Sequence, residues 1–185
     1  MLILFSGKGG EPYAVQACVS EQEIHLFELV NVYRRENNLP AIPLSPSLCF
    51  VAGAHVWDLN TNQPDRGRCN MHSWSGSGLW TACCYTEDHK RARCIWSKPR
   101  ELTDYEGFGY EIAYYSSWPA KEHQNMARAA MDGWMGSPGH NSMILNKYAW
   151  KRVKWNAMGV GIYGNYAVVW FGEEKDPVRK VKRCP

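Results

Sequence analysis

Helical spacing opens the chain. Ile24, Phe27, Val30 and Tyr33 or Arg34 recur at three- and four-residue intervals behind Ser20-Glu21-Gln22-Glu23. In that tetrad the serine hydroxyl can accept from the backbone N–H three residues on, while the glutamate accepts from the serine N–H. It therefore predicts a helix starting at Ser20. Asn37-Asn38-Leu39-Pro40 ends it. Ser45-Pro46 opens a second helix, with Leu48, Val51, Ala52, His55 and Leu59 on one face as far as about Asn60. His55 sits on that apolar face and reads as a packed histidine with one hydrogen bond.

The pattern then changes. Residues 61–109 are loop-like and rich in Gly, Ser, Cys and Trp, and so long an irregular stretch needs either staples or a function. Residues 110–115, YEIAYY, have a strand's composition with Glu111 as their one charge. A lone carboxylate there either points to solvent or has a cationic or metal partner inside. Pro119 admits a helix over about 120–135, with Met126, Ala130 and Trp134 on one face. Ser137-Pro138 starts a short helix that holds His140 in its first turn, facing a cleft between two elements. Residues 151–154 read as a basic loop. Residues 158–163 and 166–171 flank Gly164-Asn165, a two-residue hairpin turn. The near-continuous apolar run of 167–171 predicts a central strand buried on both faces. Helices in front and between, with strands behind, predict a layered α+β domain.

Composition narrows the function. A chain of 185 residues forms one domain with a real core. The net charge of +3 is mild and calls for no nucleic acid. Arg179, Lys180, Lys182 and Arg183 read as a solvated tail. No stretch reaches the roughly 20 apolar residues of a membrane span, and the apolar run of residues 2–5 is short for a signal-peptide core. Export is inferred instead from seven cysteines, at 18, 49, 69, 83, 84, 94 and 184. With no CxxC pair, disulfides are the better reading than zinc, and the odd count leaves one thiol free or bridging chains. A zinc site on Cys69 and His72 would need two more donors, for which His89 or Cys94 could serve.

Several separated pieces now stand in order: Leu29-Val30-Asn31-Val32-Tyr33-Arg34, Leu39-Pro40-Ala41-Ile42, a Cys-x-x-His-Ser element at 69–73, Gly109-Tyr110-Glu111-Ile112-Ala113, Trp134-Met135-Gly136-Ser137-Pro138-Gly139-His140, Met158-Gly159-Val160-Gly161 and Trp170-Phe171-Gly172. Together they resemble the CAP superfamily of cysteine-rich secretory, antigen 5 and pathogenesis-related proteins, also called the SCP domain. The Ser-Pro-Gly-His form is most similar to its bacterial branch. The resemblance runs over about residues 20–173. It implies a three-layer α-β-α sandwich with a central, mostly antiparallel sheet, here spanning 20–175 between a loose lead-in (1–19) and a basic tail (176–185). The insertion at 61–109 would be stapled by disulfides.

The family is usually extracellular, and its cleft holds two histidines and two acidic residues that in many members bind zinc or another divalent metal. By motif, His72, Glu111 and His140 fill three of those positions. The second carboxylate falls on Ser137, in the cleft but without a charge. Two imidazoles and one carboxylate are enough ligands for Zn²⁺, yet hydrolysis also wants a general base, and Ser137 is a poor one. The expectation is a secreted or periplasmic monomer, a non-catalytic domain for a lipid, sterol, glycan or cell-surface protein partner. Trp74, Trp80 and Trp96 of the insertion would form the ligand or partner surface. A metal-dependent hydrolase using His72, Glu111 and His140 is the runner-up, and a purely structural interaction module the third reading.

Overall fold

The capping box forms as its spelling requires. In the computed structural model, which describes residues 3–5, 13–15, 18–117 and 125–185, Glu23 N donates to Ser20 Oγ and Ser20 N donates to Glu23 Oε2 at 2.7 Å. Helix α1 follows over Glu21–Glu36. The second oxygen of Glu23 takes the Ile162 N–H at 3.0 Å, so one side chain both starts the helix and ties it to a strand. Helix α2, Pro46–Asn62, is capped by Ser45. Asp176 binds its first turn, accepting from the Ser45 and Ser47 hydroxyls and from Ser47 N at 2.8 Å. A carboxylate suits that electropositive end.

Strands Gly109–Tyr115 (β3), Ala157–Tyr163 (β4) and Tyr166–Gly172 (β5) form an antiparallel sheet in the order β3-β5-β4. The apolar run is the central strand, buried along its whole length, and the turn before it has Gly164 at φ +56°. Alternation divides β5 between two cores. Tyr166, Val168 and Trp170 face α2 and the insertion, while Ala167, Val169 and Phe171 face α1, α5 (Met126–Gly136) and α6 (Pro138–Ile144). The three-layer sandwich is thus the observed architecture. On β4, Gly159 and Gly161 face α2, and a Cβ on either would strike the helix backbone at Leu48 or Ala52. Their missing side chains let helix and strand touch.

The insertion contains two short helices that its loop-like sequence did not signal, α3 (Ala92–Trp96) and α4 (Lys98–Leu102). Disulfides Cys69–Cys84 and Cys83–Cys94 staple it. With Cys69 and Cys94 so committed, and His89 bonded through Nδ1 to the Tyr85 hydroxyl at 2.8 Å, the alternative zinc site on those residues does not form. Cys49 is the free thiol, buried, with a pKa pushed up to about 12 by desolvation.

The ends differ from expectation. Cys18 bridges to Cys184, Val19 N donates to Lys182 O at 2.8 Å and Cys184 N to Val19 O at 3.0 Å. The basic tail therefore has solvated side chains on an anchored backbone. Within the lead-in, β1 (Ile3–Phe5) pairs antiparallel with β2 (Tyr13–Val15). The helix expected over 120–135 is observed from Met126, capped by the Asn125 side chain; its expected start lies outside the described residues. Among the described residues no helix is long and apolar enough to cross a membrane.

Candidate functional site

The alternation of β3 sends Glu111 and Ala113 toward the α2 face. There Glu111 lies opposite Trp170 in register, and its side chain is 1 % exposed. A carboxylate so deep needs partners, and it has two. His55 of α2 donates through Nδ1 to Glu111 Oε1 at 2.5 Å, and His72 of the insertion donates through Nδ1 to Oε2 at 2.8 Å.

His55 is more than the single-bonded core residue its helical face suggested. Its Nε2 faces Ser73 O at 3.0 Å, and its ring stacks on Trp74 at 4.3 Å between centroids. Both ring nitrogens face oxygen acceptors, a demand that only the doubly protonated imidazolium satisfies. Burial drives the His55 pKa down, but the Glu111 charge, its hydrogen bond and the Ser73 carbonyl outweigh that and hold it above the usual histidine value. Burial likewise raises Glu111, but His55 and His72 together hold it below the usual carboxylate value. The centre is a buried ion pair with a second imidazole on its outer oxygen.

His72 is placed by local turn chemistry. Its backbone N–H bonds Asn70 Oδ1 at 3.0 Å, one residue beyond the stapled Cys69. His140 sits half-buried in the first turn of α6. Burial first, and then the nearby His72, hold its pKa below the usual value and its imidazole neutral. The structure therefore joins Glu111 to His72 directly and brings His140 within electrostatic reach of His72. Ser137 precedes α6 without capping it through its side chain.

Ser137 and His140 line a cavity of about 570 Å³ at the β3 edge, with Met71, Tyr114, Tyr115 and Tyr166 among its walls. Asp65 lines it too, accepting from the Tyr166 hydroxyl at 3.0 Å. Burial, and then that bond, push the Tyr166 phenol up. His55 and Asp65 are the site residues that sequence reasoning missed. The lone charge on β3 was the signal for a partner to Glu111, whereas nothing in the sequence marked Asp65.

Two of the three insertion tryptophans are not surface residues. Trp74 is 2 % and Trp80 5 % exposed. Trp80 packs edge-on to Trp74 at 5.0 Å and donates to Ser75 O, while the Lys98 ammonium lies 5.3 Å from the Trp74 ring. The insertion folds these rings inward to cover the histidine centre. Trp96 stays exposed. Among the described residues no group of three or more His, Cys, Asp or Glu side chains is placed to hold a metal ion. Glu111, expected as a ligand, instead orients the imidazoles, which leaves His72 Nε2 and His140 as the nitrogens on offer.

Residues 27–170 match the family model of the CAP, or cysteine-rich secretory protein, family. The chain belongs to the CAP family. No curated protein matches it in sequence. Solved structures similar in fold include the following three. A cysteine-rich secretory protein from Staphylococcus aureus aligns at TM-score 0.51 and 20 % identity, covering 83 % of this chain and 38 % of its own. An extracellular SCP-domain protein from Bacillus anthracis aligns at 0.55 and 19 %, covering 83 % and 40 %. An outer surface protein from Borrelia burgdorferi aligns at 0.55 and 16 %, covering 84 % and 94 %. This CAP chain thus spans about two fifths of the first two and nearly all of the third.

Proposed function

We propose that this CAP domain is an exported, non-catalytic binding module whose cleft at the β3 edge takes a small, largely apolar ligand. The observation that carries the reading is the commitment of Glu111, whose two oxygens are both held by imidazoles. Position 137 is serine, and the acid on the cavity wall, Asp65, is bonded to Tyr166. A general base beside His140 is what hydrolysis would need. The tyrosines and Met71 supply apolar walls with hydroxyl tips, which suit an apolar body with a polar head, as in a fatty acid or sterol. Three disulfides suit an oxidising compartment. A divalent ion, where one is taken up, would be held by His72 Nε2 and His140, with Glu111 fixing the His72 tautomer. It would supply Lewis acidity to a bound ligand.

The test is a fluorescence titration with cis-parinaric acid and dehydroergosterol on the protein and on Ser137→Trp, which fills the cavity. Saturable binding of either probe, weakened about tenfold or more by the tryptophan, is expected. No saturable binding of either probe would overturn the reading. So would chelator-sensitive peptide or ester hydrolysis that disappears in His140→Ala.

A further inference from the structure

Between α6 and β4 the chain reads Lys147-Tyr148-Ala149-Trp150-Lys151-Arg152-Val153-Lys154-Trp155. This is more than a basic loop. Aromatic and cationic residues alternate through it, and it contains no carboxylate and no side-chain amide. Lys147, Lys151, Arg152 and Lys154 are all exposed, and the ion pairs among the described residues involve other cations.

Tyr148 stands out in its backbone. It has φ +52° and is 84 % exposed, at the start of a short 3-10 turn, Tyr148–Trp150. A bulky aromatic in the left-handed region is strained. Here the strain is not returned as burial, since the ring points into solvent. Strain held without packing reward marks a side chain displayed outward.

The display has a firm base. Asn146 accepts from Arg34 Nη1 at 2.7 Å and donates to Val153 O at 3.0 Å, closing the loop across its neck. Trp155 donates to Met143 O and packs on Phe171 of the core at 5.4 Å. Trp150 lies against Trp155 at 5.4 Å and Tyr110 at 5.1 Å. A continuous run of rings leads from the central strand to the exposed loop, so the loop meets a partner already shaped.

We propose that residues 147–155 form a docking surface for an anionic phospholipid bilayer, separate from the cleft at the β3 edge. The four cations would lie among the lipid phosphates and carboxylates, where juxtamembrane Lys and Arg are drawn by the negative surface potential. Tyr148 and the half-buried Trp150 would settle at headgroup level, which suits rings with an apolar body and a polar tip. A neutral glycan fits less well, because its hydroxyls need carboxylate or amide partners, and the two amides at the loop's ends, Asn146 and Asn156, are already bonded within the protein. A soluble polyanion would use the cations but leaves the outward tyrosine unexplained.

The test is co-sedimentation of the full chain with vesicles of phosphatidylcholine alone and of phosphatidylcholine with about one-third phosphatidylserine. Binding to the anionic vesicles at least about tenfold tighter than to the neutral ones is expected, with loss of that binding in Lys151→Glu/Arg152→Glu. Tyr148→Gly separates display from structure. Glycine adopts positive φ freely, so this variant should unfold at a higher temperature while binding anionic vesicles several-fold more weakly. Equal binding to both vesicles, or indifference to the charge reversal, overturns the proposal. If Tyr148→Gly binds anionic vesicles as tightly as wild type does, the displayed ring meets no headgroup layer and the bilayer proposal is overturned in favour of a partner read by charge alone.

Discussion

His55 Nδ1 stands 2.5 Å from Glu111 Oε1, inside a core where the two side chains are 0 % and 1 % exposed. Breaking a buried pair strands the remaining charge, which typically costs about 3–5 kcal/mol. Glu111→Ala should lower unfolding stability by that order in urea titration. His55→Ala should do the same and also open a hole under Trp74.

The same pair sets a pH window. Glu111 has its folded pKa held below 4.5, so its contribution is present above that unfolded value and is lost as pH falls through the folded one. His55 has its folded pKa held above 6.5, so its contribution is full below that value and is lost as pH rises through the folded one. Stability of metal-stripped protein should therefore peak between about pH 4.5 and 6.5 and fall on both sides. Glu111→Gln should flatten both limbs in unfolding midpoints measured from acid to mild alkali. A wild-type profile flat across this range would show that the pair is not charged.

Arg34 links α1 to α6, the helix that bears His140. It is buried, and its guanidinium donates to Pro40 O at 3.0 Å, Ile144 O at 2.5 Å and Asn146 Oδ1 at 2.7 Å. Burial lowers its pKa to about 10, which still leaves it charged at neutral pH. A lysine cannot span three acceptors with a planar fork. Arg34→Lys should cost about 2–3 kcal/mol by urea unfolding. It should also loosen α6, seen as faster hydrogen exchange at the amides around Ile144.

For the metal, zinc calorimetry on stripped protein beside His72→Ala and His140→Ala is decisive. One ion per chain, lost in both variants, is expected if the two imidazoles form the site. Uptake that survives either change would place the metal elsewhere.

The glycine seam gives a sharp contrast. At Gly159 an added Cβ would meet backbone atoms of Leu48 and Cys49, whereas at Gly139 nothing lies within 4 Å. Gly159→Ala should lower the melting temperature by well over ten degrees or abolish folding, because helix and strand cannot both hold their places. Gly139→Ala should leave it within a few degrees of wild type, as scanning calorimetry would show.

What could be read from the sequence was what local chemistry determines. The Ser20 box, the Ser45-Pro46 helix start and the Gly164-Asn165 hairpin each follow from residues within a few positions of one another. So does the central place of β5, because an uninterrupted apolar run leaves no side for water. Glu111 was found as a charge in need of a partner. His55 was not found as that partner, because an inward histidine looks the same on a helix whether it packs or pairs. Trp74 and Trp80 were misplaced for a related reason. An irregular segment carries no periodicity to say which way its rings point, and here the answer came from the distant α2 and Lys98. Cysteine pairing is likewise a property of the folded chain, as the union of Cys18 with Cys184 shows.

That union has a mechanical consequence. The two Cα atoms are 5.0 Å apart although 166 positions separate them in sequence. Tension entering through the backbone before Cys18 and leaving after Cys184 crosses the sulfur bridge directly and never loads the sheet. Pulled in an atomic-force experiment under oxidising conditions, the domain should transmit force without lengthening. Once reduced, it should pay out its whole contour in a single unfolding event. Anchored at a surface under shear, it would behave as an inextensible link that keeps its cleft intact.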